Sequence, residues 1–159
     1  MSDIELRAPK PGDLSWLQHR HMQTMAPAYG WDERYEAHLA QIISAFLMDH
    51  DPERERFWVA DRAGEILGCV GLTRVSDTQA RLRLLFVEPE ARGLGLGRRL
   101  TETCIAYARA KGYAEVVLWT VSVLDAARKL YADLGFEMTG SEASDLAASM
   151  CDETWLLRL

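Results

Sequence analysis

The stretch Val87-Glu88-Pro89-Glu90-Ala91-Arg92-Gly93-Leu94-Gly95-Leu96-Gly97-Arg98 decides the fold. Before it, Arg81 and Arg83 alternate with Leu82 and Leu84, as in a strand. After it, Leu96, Leu100, Cys104 and Tyr107 recur at helical spacing until Gly112 closes the run. A strand therefore meets a Glu-Pro break, a glycine-rich loop and a helix start. A helix N-terminus leaves its first four N–H groups without partners and carries about half a positive charge. Glycines at 93, 95 and 97 remove the Cβ atoms that would hold an anion off those amides, and Arg98 and Arg99 add charge. The pattern predicts phosphate binding by Arg92, Gly93, Leu94, Gly95, Leu96, Gly97 and Arg98.

Working outward, residues 4–8 alternate as a strand, and Pro9, Pro11 and Gly12 break it. Asp13 can cap a helix to about residue 26, which Pro27 and Gly30 end. A second helix spans 32–50, with Tyr35, Leu39, Ile42, Ile43, Phe46 and Leu47 at helical spacing. Strands at 57–60 and 66–75 form a hairpin, and a third follows at 80–87. Its alternation slips at Leu85-Phe86, as a bulge or burial on both faces would produce. Residues 116–120 read as a strand, 123–134 as a helix, and 136–139 and 154–159 as strands. The stretch 141–152 is open between a loop and a short helix. This order gives an α/β domain over 1–159, a mixed central sheet of about six to seven strands flanked by four helices.

The 159 residues suit one domain, and 48% apolar with 26% charged residues is ordinary for a globular protein. No apolar run approaches a membrane span, and the first residues lack a signal pattern, so neither membrane nor export is expected. Cys69, Cys104 and Cys151 are odd in number and widely spaced, which argues against a disulfide framework or a zinc clip and suits a reducing cytoplasm. His19 and His21 point different ways from a helix, so no metal is expected there. A net charge of −6 argues against nucleic acid as the main partner and leaves an amine open.

Spacing separates the phosphate-loop readings. A P-loop needs G-x-x-x-x-G-K-[ST], and no Lys follows these glycines. In a dinucleotide fingerprint the third glycine would come one residue later and open a parallel domain. Arg92-Gly93-Leu94-Gly95-Leu96-Gly97 instead resembles the R/Q-x-x-G-x-G/A signature of the GNAT superfamily, in its context of strand, Glu-Pro turn, loop and helix. Leu118-Trp119-Thr120, the helix through Tyr131, and Leu134-Gly135-Phe136 are similar to the second block of that family, ending Y-x-x-x-G-F. The likeness covers residues 57–140 well and the rest loosely. His19-Arg20-His21 and Tyr29-Gly30-Trp31-Asp32-Glu33 also resemble acetyltransferase domains fused to MarR-type regulators; no winged helix is read here, so only the acetyltransferase half carries over.

The resemblance implies a GNAT fold and transfer of acetyl from acetyl-CoA to a small-molecule or peptide amine, with no metal; homodimers are frequent in the family. Leu85, Phe86 and Val87 would present backbone groups to the pantetheine arm, and residues 93–98 would hold the pyrophosphate. A backbone N–H in the bulge would polarise the thioester carbonyl. Tyr131 matches the general acid, since a phenol of pKa about 10 stays protonated at neutral pH; without the family match it reads as a core tyrosine with its hydroxyl at the edge. Glu88 is the candidate base, with His19, His21 and Glu33 as alternatives in the segment that usually shapes the amine pocket. Where the family often carries Asn seven residues before the Tyr, this chain has Leu124. That departure favours the rival expectation, a non-catalytic acyl-CoA sensor; a longer acyl group or a hydroxyl acceptor is a further rival.

Overall fold

The computed structural model describes residues 3–145, 147 and 149–159. Its strands in chain order are β1 (Glu5–Arg7), β2 (Arg56–Arg62), β3 (Glu65–Arg74), β4 (Gln79–Val87), β5 (Glu115–Val121), β6 (Glu137–Ala143) and β7 (Cys151–Arg158). They form one sheet ordered β1-β2-β3-β4-β5-β7-β6, antiparallel throughout except where β4 meets β5. The helices are α1 (Asp13–Tyr29), α2 (Glu33–Asp49), α3 (Leu96–Ala110) and α4 (Asp125–Asp133), and a single 3-10 turn covers Pro89–Ala91.

Alternation along the strands divides the core between two faces. On one, Leu82, Val116 and Leu118 pack with Leu96, Leu100 and Cys104 of α3 and Tyr131 of α4. On the other, Phe57, Val59, Cys69 and Phe86 pack with Leu14 and Leu17 of α1 and Ile43 and Phe46 of α2.

Two irregularities in β4 make the site. Its parallel pairing with β5 stops after Gln79, Ala80 and Arg81, while β5 continues against β7 as far as Val121. Across from β3, Gly71 faces Arg83 and Cys69 faces Phe86, so Val70 alone opposes Leu84 and Leu85. This is a bulge, and Leu84 takes a φ of 51° within it. The expected slip at Leu85-Phe86 thus falls one residue earlier. A bulged strand bends away from its neighbour, which accounts for the lost pairing with β5.

Several boundaries differ from the sequence expectations. α1 runs past Pro27 to Tyr29, where left-handed Gly30 closes it by donating to the Ala26 carbonyl; one proline in a last turn removes a single backbone bond. Its N-cap is Gly12, while Asp13 Oδ2 accepts from the Lys10 amide and from Arg7 Nη1. β6 and β7 extend into the stretch left open between loop and helix, because Ser141 and Glu142 pair with Glu153 and Asp152. Polar cross-strand pairs carry no apolar period to read. Leu146 and Ala148, in the same stretch, lie outside the described residues.

Candidate active site

Where β4 leaves β5, a cavity opens that is lined from both faces of the sheet. Leu82, Leu85, Leu124, Ala127 and Tyr131 line it from the α3 and α4 side, and His21, Tyr35, His38, Arg81 and Arg83 from the α1 and α2 side. Tyr131 is 5% exposed, with its ring 5.7 Å from that of Phe136. Burial, and secondly the Cys104 thiol, push its phenol above the usual range, so it is protonated at any physiological pH.

The glycine loop lies at the start of α3, where Gly97 approaches Val87 at the end of β4 and Leu130 of α4. Gly93 and Gly95 take φ values of 82° and 75°, and a Cβ on either would meet nothing within 4 Å, so the loop faces open space. Gly95 is the N-cap of α3 and has no side-chain cap. The first helix bond runs from the Arg99 amide to the Gly95 carbonyl; among the described residues the amides of Leu96, Gly97 and Arg98 have no protein acceptor. Gly97 differs, since a Cβ there would sit 3.7 Å from both Leu130 and Val87. The neighbouring arginines hold protein groups: Arg98 Nε donates to Glu102 at 3.0 Å, Arg99 Nη1 to the Ile4 carbonyl at 2.8 Å, and Arg92 Nε to the Val87 carbonyl at 3.4 Å.

A strand opened beside a glycine-capped helix, with a buried tyrosine at the opening, agrees with a match of residues 16–136 to the model of the acetyltransferase (GNAT) family. The chain belongs to the GNAT family. It is 35% identical over 124 residues to N-acetyltransferase 8 of Rattus norvegicus, covering 75% of this chain and 52% of the relative. The chain thus spans about half the length of the curated relatives it matches. Solved structures share the GNAT fold across its length. Ard1 from Thermoplasma volcanium superposes with a TM-score of 0.79 at 23% identity, covering 98% of this chain and 97% of its own. A Salmonella typhimurium protein solved with its cofactor acetyl-CoA gives 0.74 at 22% identity, covering 99% and 95%.

Within this GNAT frame the sequence-derived residues fall into two places. Leu85 and Tyr131 line the cavity, and Phe86 packs behind it, 5.0 Å from the His21 ring. Val87 pairs with Gly68 at the strand end, beside the glycine loop. Glu88 lies elsewhere: its carboxylate accepts from Arg20 Nε and Nη2 at 2.6 and 2.7 Å, in a hollow shared with His19, Gln23 and Ile66. His19 is therefore with Glu88 and not with Tyr131, and Glu33 is exposed in the first turn of α2. His21 does reach the cavity. Its Nδ1 lies 3.3 Å from the Tyr35 hydroxyl, its Nε2 has no hydrogen-bond partner among the described residues, and burial drops its pKa to about 4. Trp31 also lines the cavity, its ring 4.3 Å from that of Tyr35 and tilted by 49° to it, while Tyr29 lies behind it.

Sequence reasoning missed Tyr35, His38, Arg81, Arg83 and Asp152. Tyr35 read as one apolar position among six, and the two arginines as the polar positions that alternate with Leu82 and Leu84 along a strand. His38 sits exposed at the rim, its ring 5.7 Å from Trp119. Partial burial and the charge of Arg83 hold its pKa below the usual histidine value, against an opposing pull from Asp152. The available signal was its place one turn after Tyr35, facing the strand that carries Trp119.

Proposed function

We propose that residues 1–159 act as one GNAT domain that moves an acetyl group from acetyl-CoA to a primary amine of a small molecule or peptide, by direct attack and without a metal. The observation that carries this reading is the cavity entered from both faces of the sheet, with Tyr131 on one side and a neutral histidine on the other. The amides of residues 93–98 hold the pyrophosphate, helped by Arg92 and Arg98, and the backbone of Leu85, Phe86 and Val87 lies along the pantetheine. The thioester supplies an activated acyl carbon, and an N–H of the bulge hydrogen-bonds its oxygen as charge develops there.

The incoming ammonium gives its proton to His38, which is neutral at pH 7 and opens to water at the rim. As the C–N bond forms and the C–S bond breaks, Tyr131 protonates the sulfur, and the second proton shed by the nitrogen restores the phenol. Burial raises the basicity of the leaving thiolate as well as the phenol's pKa, so the transfer stays matched. The net change is an amide, free CoA thiol and one proton. Glu88 was the base expected from sequence; its two bonds to Arg20 favour a tie between α1 and the end of β4. A cytoplasmic setting and a homodimer go with this reading.

Leu124 favours a second reading, a coenzyme-binding sensor without turnover, because it brings an apolar side chain to the cavity wall; the likeness to regulator-fused domains points the same way. Calorimetry with acetyl-CoA, followed by thiol release over an amine panel, separates them. Binding with turnover that Tyr131→Phe suppresses supports the enzyme; binding without turnover for every amine supports the sensor; no binding refutes both.

A further inference from the structure

Arg81 and Arg83 are two positions apart on β4, so their side chains leave the same face of the sheet, opposite to buried Ala80 and Leu82. That face is the one α2 partly covers. There they line a hollow continuous with the cavity, together with His38, Trp119, Asp152 and Thr154. Both arginines are half-buried, and among the described residues neither forms an ion pair. Arg83 Nε reaches only Thr73 Oγ1, at 3.4 Å, and Arg81 Nε is buried without a hydrogen-bond partner. Burial first, and the charge of Arg81 second, hold the Arg83 guanidinium below its usual range.

Two neighbouring cations taken partly out of water destabilise a fold unless an anion meets them. Among the described residues no carboxylate pairs with either. Asp152 lines the same hollow but pairs with neither, and its Oδ1 is also buried without a partner. The hollow therefore offers two unmet cations and one unmet carboxylate beside the neutral imidazole of His38. Guanidinium groups bind carboxylates through paired N–H donors, with geometry as well as charge. An ammonium is the natural partner of the remaining carboxylate.

We infer that the acceptor is an amino-acid-like molecule, a primary amine with a carboxylate a few atoms away, whose carboxylate is held by Arg81 and Arg83 and whose ammonium lies toward Asp152 and His38. Trp119 and Val117 supply the apolar wall for the rest of the acceptor. The inference rests on the proposed acetyl transfer and narrows its substrate class.

The test compares free amino acids with their carboxamides and with the corresponding decarboxylated amines, by kcat/KM at fixed acetyl-CoA, with acetyl-CoA affinity measured separately by calorimetry. The expected result is at least a ten-fold preference for the acid over its amide. Arg81→Gln and Arg83→Gln should bring the ratio to within about two-fold, and Arg81→Lys should keep part of it, which a merely structural role would not. Equal rates on acid and amide, or preference for the amide or the decarboxylated amine, overturn the inference and leave acetyl transfer standing. Coenzyme binding with no amine turned over also overturns it, and loss of coenzyme binding in the wild-type protein removes the proposed function with it. The wild-type comparison decides the matter even if a variant fails to fold.

Discussion

Arg20 of α1 and Glu88 at the end of β4, 68 positions apart, are joined by two hydrogen bonds of 2.6 and 2.7 Å between one guanidinium and one carboxylate. The Glu88 side chain is 7% exposed and that of Arg20 26%, so removing Arg20 strands a buried charge. Arg20→Met should lower stability by about 2 kcal/mol, below the full buried-pair value because Arg20 is partly hydrated. The double change with Glu88→Gln should recover at least half of that loss in urea unfolding. Glu88→Gln should reduce kcat less than Tyr131→Phe does; a larger reduction would return Glu88 to the role of base.

Tyr131→Phe removes a hydroxyl from a wall and fills the same space. A general acid contributes roughly 10²-fold to 10⁴-fold, so kcat should fall by about 10²-fold while acetyl-CoA affinity by calorimetry changes by less than about two-fold. Because burial raises the phenol's pKa, the wild-type rate should show no alkaline loss assignable to this residue below about pH 10. Undiminished kcat in the variant would exclude the assignment.

Gly95 and Gly97 should part company. Gly95 needs its left-handed φ of 75°, so Gly95→Val costs about 1–2 kcal/mol of folding stability and weakens acetyl-CoA binding ten-fold or more, about 1.4 kcal/mol. Gly97 is helical, and its added methyl would lie 3.7 Å from Leu130 and Val87, an ordinary contact. Gly97→Ala should keep coenzyme affinity and raise stability by about 0.5 kcal/mol. Thermal unfolding with and without acetyl-CoA reads both effects.

His21 makes the fold acid-sensitive. Its folded pKa of about 4 lies below the unfolded value of about 6.5, so between these the unfolded chain binds the proton and the folded one does not. Its contribution is fully present above pH 6.5 and is lost as pH falls toward 4, by about 3 kcal/mol in all. His21→Phe should flatten urea stability between pH 7 and pH 4.5; an unchanged slope would mean another group carries it.

His38 should set the acid limb of catalysis. With its pKa below the usual value, kcat/KM should rise with pH through a midpoint below about 6.5 and then level off. His38→Gln should remove that limb and lower the plateau by about ten-fold or more. A limb that survives the substitution would place the base elsewhere.

The order of strands and helices was legible because periods of two and 3.6 alternate cleanly on either side of residues 92–97, and the glycines that set the loop are local features. The slip in β4 was legible to within one residue, since two adjacent apolar side chains mark a bulge without saying which is unpaired. The acceptor side was not legible. Arg81 and Arg83 look like any polar strand face until α2 is placed beside them, and Asp152 belongs to a hairpin whose polar rungs leave no pattern. Glu88 shows the converse: nearness in sequence to the opening did not bring its carboxylate there, because Arg20 reaches across from α1 to take both oxygens.

A hole through a sheet has two mouths, and here they differ in chemistry. One is walled by a phenol and leucines and the other by guanidinium groups, so occupants of the two need not queue at a common door. The thiols nearby, Cys69 pushed up to about 12 and Cys104 also raised by burial, are too poorly ionised to hold an acyl group between visits. Initial-rate plots against the two substrates should therefore intersect and not run parallel.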